Sequence, residues 1–466
     1  MLAPFIALTA SFALALALTP MAGRLARRVG ALDHPLTARK CHRTAVPRIG
    51  GLAIATGFLG GVALAAAAGG AAVQGPRILA IALAGVFVVA IGAVDDVRGI
   101  SPRVKLVAQL AVAALVWAGG LRIEAIANPF GAPVPLGDLA LPVTLLFLVG
   151  AMNAMNLIDG LDGLAGGIAA AAAAAAVAVA LLRGDPVLAV SGAAVAGSCL
   201  GFLRHNLRPA SIFMGDSGSL FLGLVLSASS IPEAGQGTLG TDLLAPVVAL
   251  GVPVIDTAMA LVRRAARRSP ISWGDREHVH HRLLATGLSP RRAMAVLVAA
   301  GSIHAGFAVA IAGATGARAA VLLGGIVLLD LAGIRALGDL RPGVLERLAA
   351  ERRRYSALRS AVRDAASLLE GARSIGEVQD VLDGAAPSIG ASRARLLLSG
   401  GPGPRRPGTR TRHNLRGERP GGGSLEFRWS SRQARQDHST EMAAEMLCAR
   451  VAVAVRRLGA RQDPML

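Results

Sequence analysis

Charged residues make up only 17% of this 466-residue chain and aromatic residues only 3%. A typical soluble domain carries roughly 25% charge, so a single soluble globule is excluded. So few aromatics do not supply the girdles of a membrane β-barrel. The three cysteines, Cys41, Cys199 and Cys448, stand far apart and form neither a metal-ligand pattern nor a disulfide pattern. Lysine is nearly missing, with Lys40 and Lys105 alone among an arginine majority. What remains is apolar and small: 53% hydrophobic residues and 57 glycines, with a mean hydropathy of +0.55. That composition suits close-packed membrane helices, and the fold class it implies is an all-α polytopic membrane protein.

Apolar runs of near-spanning length fall at about residues 2–20, 49–69, 77–94, 104–120, 139–155, 164–182, 187–203, 218–231, 242–262, 293–311 and 319–334, which predicts eleven transmembrane helices. No cation precedes the first run, while Arg24, Arg27 and Arg28 follow it at once, the order of an uncleaved span with its N-terminus outside. Alternating from there, the inside loops hold 20 Lys and Arg, and the outside loops hold only Arg77, Arg122, Arg183 and Arg318. This bias places the C-terminus in the cytoplasm of a multi-pass membrane protein. The net charge of +19 is spread over short loops and the last quarter of the chain, so it reads as topology and not as nucleic-acid binding.

Beyond about residue 340 the composition changes. Residues 1–335 form the membrane domain, and 340–372 form a helical linker in which Tyr355, Leu358, Val362, Ala365 and Leu369 make a short heptad seam able to pair two chains as a homodimer. Residues 373–466 read as a small soluble α+β module, faintly GAF-like. It comprises a helix near 374–388, strands at 393–399 and 424–430, a Gly/Pro/Arg-rich loop at 400–423 and a helix at 439–459. No catalytic constellation appears in it.

The unusual polar residues gather on one membrane face, as an enzyme needs if it takes a soluble substrate from the cytosol and a lipid from the bilayer. Asp95 and Asp96 are adjacent carboxylates at a span end; they repel one another unless a cation or proton intervenes, and solvated helix-capping aspartates are the plain alternative. Lys105 is a compact ammonium near that pair, suited to phosphate. Asn153, Asn156 and Asp159 share a helical face, with Asp162 beyond; four oxygen-bearing side chains without Cys or His suit a hard cation, magnesium above zinc. Phe213 leads into Gly215-Asp216-Ser217-Gly218, where glycines would let backbone amides approach a phosphate and Asp216 would take the metal. Three imidazoles, His278, His280 and His281, sit amid arginines. In isolation they would suggest zinc, but the surrounding cations argue for anion binding. Asp256, about two turns inside its span, is either functional or engaged in capping or pairing.

Taken together and in order, these segments resemble the polyprenyl-phosphate N-acetylhexosamine-1-phosphate transferase family, glycosyltransferase family 4. The motifs are Arg39-Lys40-Cys41-His42 with Pro47-Arg48-Ile49-Gly50-Gly51, Asp95-Asp96 with Lys105, Asn153 to Asp162, Asn206 with Pro209 and Phe213 to Ser219, Pro253 to Asp256, and His278 to His281. The resemblance covers residues 1 to about 335. It implies transfer of a sugar 1-phosphate from a UDP-sugar to undecaprenyl or decaprenyl phosphate, with Mg²⁺ or Mn²⁺ and release of UMP, in a cytoplasmic cleft of ten or eleven helices. By the same resemblance Asp216 and Asn156 would hold the metal, and Asp95, Asp96, Asp159 and Lys105 would be catalytic. Asp95 or Asp96 would deprotonate or position the lipid phosphate, or act as a covalent nucleophile. Asn153, Asp162, Phe213, His278, His280, His281, Lys40, His42 and Arg48 would bind substrate, with Asp162 and Phe213 at the uracil. The His-Val-His-His-Arg order makes UDP-GlcNAc the leading donor. A secondary transporter would need inverted repeats and mid-span breaks, and a membrane sensor would leave six polar motifs on one face without a purpose.

Overall fold

The computed structural model describes residues 2–33, 45–68, 74–126, 128, 132–207, 209–231, 244–267, 277–338, 343–397, 410–414, 424–429 and 438–462. The chain divides into two compact units, Met1–Leu261 with Glu277–Leu340, and Val262–Arg276 with Arg341–Leu466.

Through the first unit run helices α1 (Leu2–Val29), α2 (Gly51–Ala67), α3 (Pro76–Arg98), α4 (Pro102–Ala118), α5 (Ala140–Ile158), α6 (Leu164–Arg183), α7 (Pro186–Asn206), α8 (Gly215–Ser229), α9 (Leu244–Ala249), α10 (Gly251–Arg267, in this unit as far as Leu261), α11 (Val279–Ala285), α12 (Pro290–Ala312) and α13 (Gly316–Ala336). Two short antiparallel ribbons join them, β1 (Leu32–Asp33) with β2 (Val46–Pro47), and β3 (Ala125–Ile126) with β4 (Val134–Pro135). Each of the eleven apolar runs is helical over most of its described residues, and among the described residues seven helical segments are long and apolar enough to cross a membrane: α1, α3, Gly137–Ile158, α6, α7, α12 and α13. Helices α2 and α4 have 17 residues and α8 has 15, while the run at 242–262 breaks between α9 and α10. The unit is therefore a helical polytopic membrane architecture.

Three helices start by the same local chemistry. Ser101, Asp185 and Ser289 each stand at an N-cap and accept from the amide three residues on, with Pro102, Pro186 and Pro290 behind them at the first helical position. Proline there gives up only an amide that the helix leaves unpaired in any case.

Helix α8 is the hub. It packs against α2, α3, α5 and α7, and every residue from Ser217 to Ser229 is buried. Backbones come this close because glycines face it: a Cβ on Gly51 would stand 2.0 Å from the Gly218 amide nitrogen, and one on Gly92 2.5 Å from Ser217 Cα. Phe58 meets Phe221 edge to face at 5.5 Å across the α2–α8 contact. Around this hub α1 packs on α2 and α7, α6 on α7 and α12, and α4 on α3 and α5.

The second unit contains α14 (Val344–Gly371), α15 (Ile375–Ala385), a three-stranded antiparallel sheet of β5 (Ala391–Leu397), β6 (Arg410–Asn414) and β7 (Ser424–Trp429) in the order β5-β7-β6, and α16 (His438–Gln462). Strand β6 lies inside the stretch expected to be a loop. Arg-Thr-Arg-His-Asn has no apolar alternation, and its conformation comes from ladder pairing with β7.

The heptad seam also needs correction. Tyr355, Leu358, Val362, Ala365 and Leu369 are all buried, and the last four belong to one core with Val378, Phe427 and Leu447. The apolar stripe is consumed within its own unit and offers no surface for pairing a second chain. Helix α14 is thus a wall of the module and not a separate linker. Its C-terminal carbonyls are clasped by Arg457, which donates to Glu370 O, to Leu369 O at 2.8 Å and to Ala372 O at 2.9 Å.

Candidate active site

The last turn of α3 carries Asp95 and Asp96, and the two neighbours do different things. Asp96 is buried. Its two carboxylate oxygens accept the amides of Asp216 and Ser217, at 3.0 and 3.1 Å, and so cap the start of α8. Gly215, at φ +71°, has no room for a Cβ, which would lie 2.0 Å from Arg48 O and 2.5 Å from Asp96 Oδ2. The glycines expected to admit a phosphate thus admit Asp96, Arg48 and Gly51, and the amides of Asp216 and Ser217 are already taken by a carboxylate.

Asp95 faces the other way. One oxygen accepts the Ile100 amide at 2.7 Å, and the other lies 3.0 Å from Lys105 Nζ. Lys105, on the first turn of α4, also contacts Asp216 Oδ2 closely. The second Asp216 oxygen accepts from Asn156 Nδ2 at 2.9 Å, and Asn156 in turn reaches Ser219 Oγ at 2.9 Å. One ammonium therefore ties two carboxylates, and one amide ties α5 to α8. Asn153, a turn earlier on α5, pairs with Gln109 of α4 at 2.8 Å. Gln109 is a site neighbour the sequence reading passed over; a glutamine inside an apolar run was its signal.

Asp159 caps the end of α5. Burial, and then the charges of Asp216, Asp96 and Asp162, push its carboxyl up to about 7. Asp162 accepts from the Ala210 amide at 3.3 Å, and Asn206 ties Gly163 N to Ile212 O through its side chain at 2.9 Å on each side. The turn after α5 is thereby laced to the turn before α8. The backbone of Phe213 joins the strip after β2: its amide donates to Pro47 O at 2.8 Å and its carbonyl accepts from Gly50 at 3.0 Å. Arg48 is turned onto the end of α3, donating to the carbonyls of Asp96 at 2.9 Å and Asp95 at 3.2 Å. Lys40 and His42 lie outside the described residues.

The histidines divide. His278 Nδ1 stands 2.8 Å from Asp256 Oδ2, while Asp256 Oδ1 accepts the Val279 amide at 2.8 Å, so Asp256 fixes the start of α11. His280 is buried, and its ring fills the space that a side chain at Gly160 would need, with Nε2 2.3 Å from an ideal Cβ there. Burial and the neighbouring His281 and His278 hold its pKa down to about 4, so at neutral pH it is an uncharged ring and not the anion-binding cation expected of it. His281 is exposed, 4.2 Å from the His280 ring. One further ionisable pair went unread in the sequence: His304 of α12 and Asp330 of α13, 3.0 Å apart.

Two relatives decide what this constellation belongs to. A protein of Bacillus subtilis (strain 168) named "Probable undecaprenyl-phosphate N-acetylglucosaminyl 1-phosphate transferase" is 38% identical over 311 residues, covering 66% of this chain and 85% of its own length. The chain belongs to glycosyl transferase family 4. The family model itself matches residues 78–233, from α3 past α8. A decaprenyl-phosphate N-acetylglucosaminephosphotransferase of Mycobacterium tuberculosis (strain ATCC 25618 / H37Rv) is 38% identical over 339 residues, covering 66% of this chain and 82% of its own. A phospho-N-acetylmuramoyl-pentapeptide-transferase of Synechococcus sp. (strain RCC307) matches less of the family fold, 37% identical over 171 residues and 34% of this chain.

Proposed function

We propose that this chain transfers N-acetylglucosamine 1-phosphate from UDP-N-acetylglucosamine to undecaprenyl or decaprenyl phosphate, releasing UMP. The observation that carries the reading is the knot of Asp95, Lys105, Asp216 and Asn156, set among apolar helices in a chain 38% identical to relatives bearing those names.

The chemistry is governed by charge. A phosphate oxygen must attack a pyrophosphate phosphorus, anion against anion, so positive charge and positioning have to come from the site. Lys105 is the side chain placed to give its ammonium to phosphate oxygens when substrate replaces a carboxylate beside it. Asp95 is placed to position or deprotonate the lipid phosphate. Asp96 is not, since both its oxygens hold α8. The neutral His280 presses on the turn that carries Asp159 and Asp162 and keeps that wall of the cleft in shape.

Among the described residues no group of three His, Cys, Asp or Glu side chains is arranged to hold a metal alone. Negative charge is nevertheless concentrated in the site, since the carboxylates of Asp216, Asp96 and Asp162 all act on Asp159 beside the effect of its burial. Oxygen donors with surplus negative charge fit a magnesium ion that keeps water and substrate phosphate among its ligands. Asp216 and Asn156 would hold it, with Mn²⁺ as a substitute. Such an ion supplies charge neutralisation at the pyrophosphate.

The membrane topology in this reading has eleven spans, with the short helices α2, α4 and α8 and the broken α9–α10 crossing inside the bundle. The N-terminus is outside and the site and C-terminus are cytoplasmic. The deciding experiment incubates membranes containing the protein with radiolabelled UDP-GlcNAc and polyprenyl phosphate. Lipid-linked label and stoichiometric UMP are expected; UMP without a lipid product would sink the proposal.

A further inference from the structure

We propose that the outer face of the β5-β7-β6 sheet is a docking surface for an anionic lipid bilayer. The inner face is ordinary core: Ala394, Leu425, Phe427 and Trp429 are buried against α14, α15 and α16. The other face is arginine. Arg393, Arg395 and Arg428 are exposed, and the antiparallel register sets Arg393 opposite Arg428 and Arg395 opposite Glu426. On the far side of β7 the register sets Arg410 opposite Arg428 and Arg412 opposite Glu426. One cross-strand row is therefore Arg393, Arg428 and Arg410, and the next has two arginines flanking one glutamate.

Like charges directly opposite one another destabilise a sheet. Arg393 and Arg428, exposed and opposite one another, are a standing repulsion that an external anion relieves. The surrounding chain compounds it, since residues 341–466 carry 23 arginines and no lysine against 13 Asp and Glu.

Complementarity of charge admits any polyanion, and two features of the module favour lipid. The sheet's aromatic side chains, Phe427 and Trp429, are buried on the opposite face, so the stacking platform that single-stranded nucleic acid uses is missing from the arginine face. The module is also tethered. Helix α13, long and apolar enough to span, ends at Ala336, and α14 begins at Val344. A basic surface held permanently beside a bilayer gains from even a weak attraction, about fivefold in occupancy per arginine near an anionic leaflet. The inference rests on the reading that the first unit lies in a membrane.

The test uses the full chain with an Arg395→Cys substitution labelled with a small fluorophore. The protein is reconstituted in nanodiscs of phosphatidylcholine alone, or of about three parts phosphatidylcholine to one of phosphatidylglycerol, each doped with a headgroup quencher lipid. Incorporation into discs, checked first, tests the membrane reading separately. Among incorporated samples, quenching should at least double in the anionic discs and return to the neutral level in high salt. Arg393→Glu with Arg428→Glu should abolish the increase, and Arg393→Lys with Arg428→Lys should keep most of it. Equal quenching in both discs would overturn the proposal, as would an increase that survives charge reversal. A label that responds to a short oligonucleotide and not to anionic lipid would assign the face to nucleic acid instead.

Discussion

Asp95 and Asp96 look interchangeable in sequence, and the fold makes them opposites. The same substitution at each should separate their roles. Asp96→Asn turns an NH₂ group toward the amides of Asp216 or Ser217, which costs about 1–3 kcal/mol and should lower the thermal midpoint in detergent. Asp95→Asn keeps an acceptor for Ile100 and loses the charge facing Lys105. Its midpoint should stay near that of the parent, while turnover falls roughly 10²-fold. Asp216→Asn should lose as much, about 10² or more, and excess chelator should abolish activity in the parent. His280 supplies a pH signature. Its folded pKa of about 4 lies below the ordinary 6.5, so between those values the folded protein binds fewer protons than the unfolded chain and stability falls as pH falls. His280→Asn should flatten that dependence, which melts at pH about 7.5 and about 5 would reveal.

At the scale of elements, the apolar helices were legible because a membrane demands continuous hydrophobicity, and each run of it became helical. Their ends were less so: α3 continues to Arg98 and α1 to Val29, beyond the apolar runs that end near 94 and 20, because charged and polar residues interrupt the hydrophobic signal without ending the helix. The site residues were visible as residue types out of place among apolar spans. What the types conceal is direction. Nothing in Asp-Asp says which carboxylate turns inward, and nothing in Gly-Asp-Ser-Gly says that the glycines make room for Arg48 and Gly51 and not for a ligand. The seam of α14 misled for the same reason, since a heptad stripe reports an apolar face and not what covers it. Leu358→Ala should therefore destabilise the module by about 2–4 kcal/mol, with no change in oligomeric state by light scattering. Arg457→Ala, which unclasps the end of α14, should cost a smaller amount, about 1–2 kcal/mol.

For the molecule as a whole, the division into two units predicts separable functions. The family match spans 78–233 and lies inside the first unit, as do Asp95, Lys105, Asn156 and Asp216. A chain ending at Leu340 should insert and retain transfer activity in detergent. Binding of UDP-sugar without turnover would show that the second unit carries a group the chemistry needs. The packing of α1 on α7 bears on how such a chain is made. At about 5–20 residues per second, α1 leaves the ribosome several seconds before its neighbour exists. Ser11 and Ala15 find Gly57 and Gly61 of α2 early, but the backbone at Leu8 and Phe12 has no helix to lie against while the notches that receive it, Gly197 and Gly201, are still unsynthesised. Assembly thus has a built-in wait, and the bundle cannot close in the order in which its helices are born.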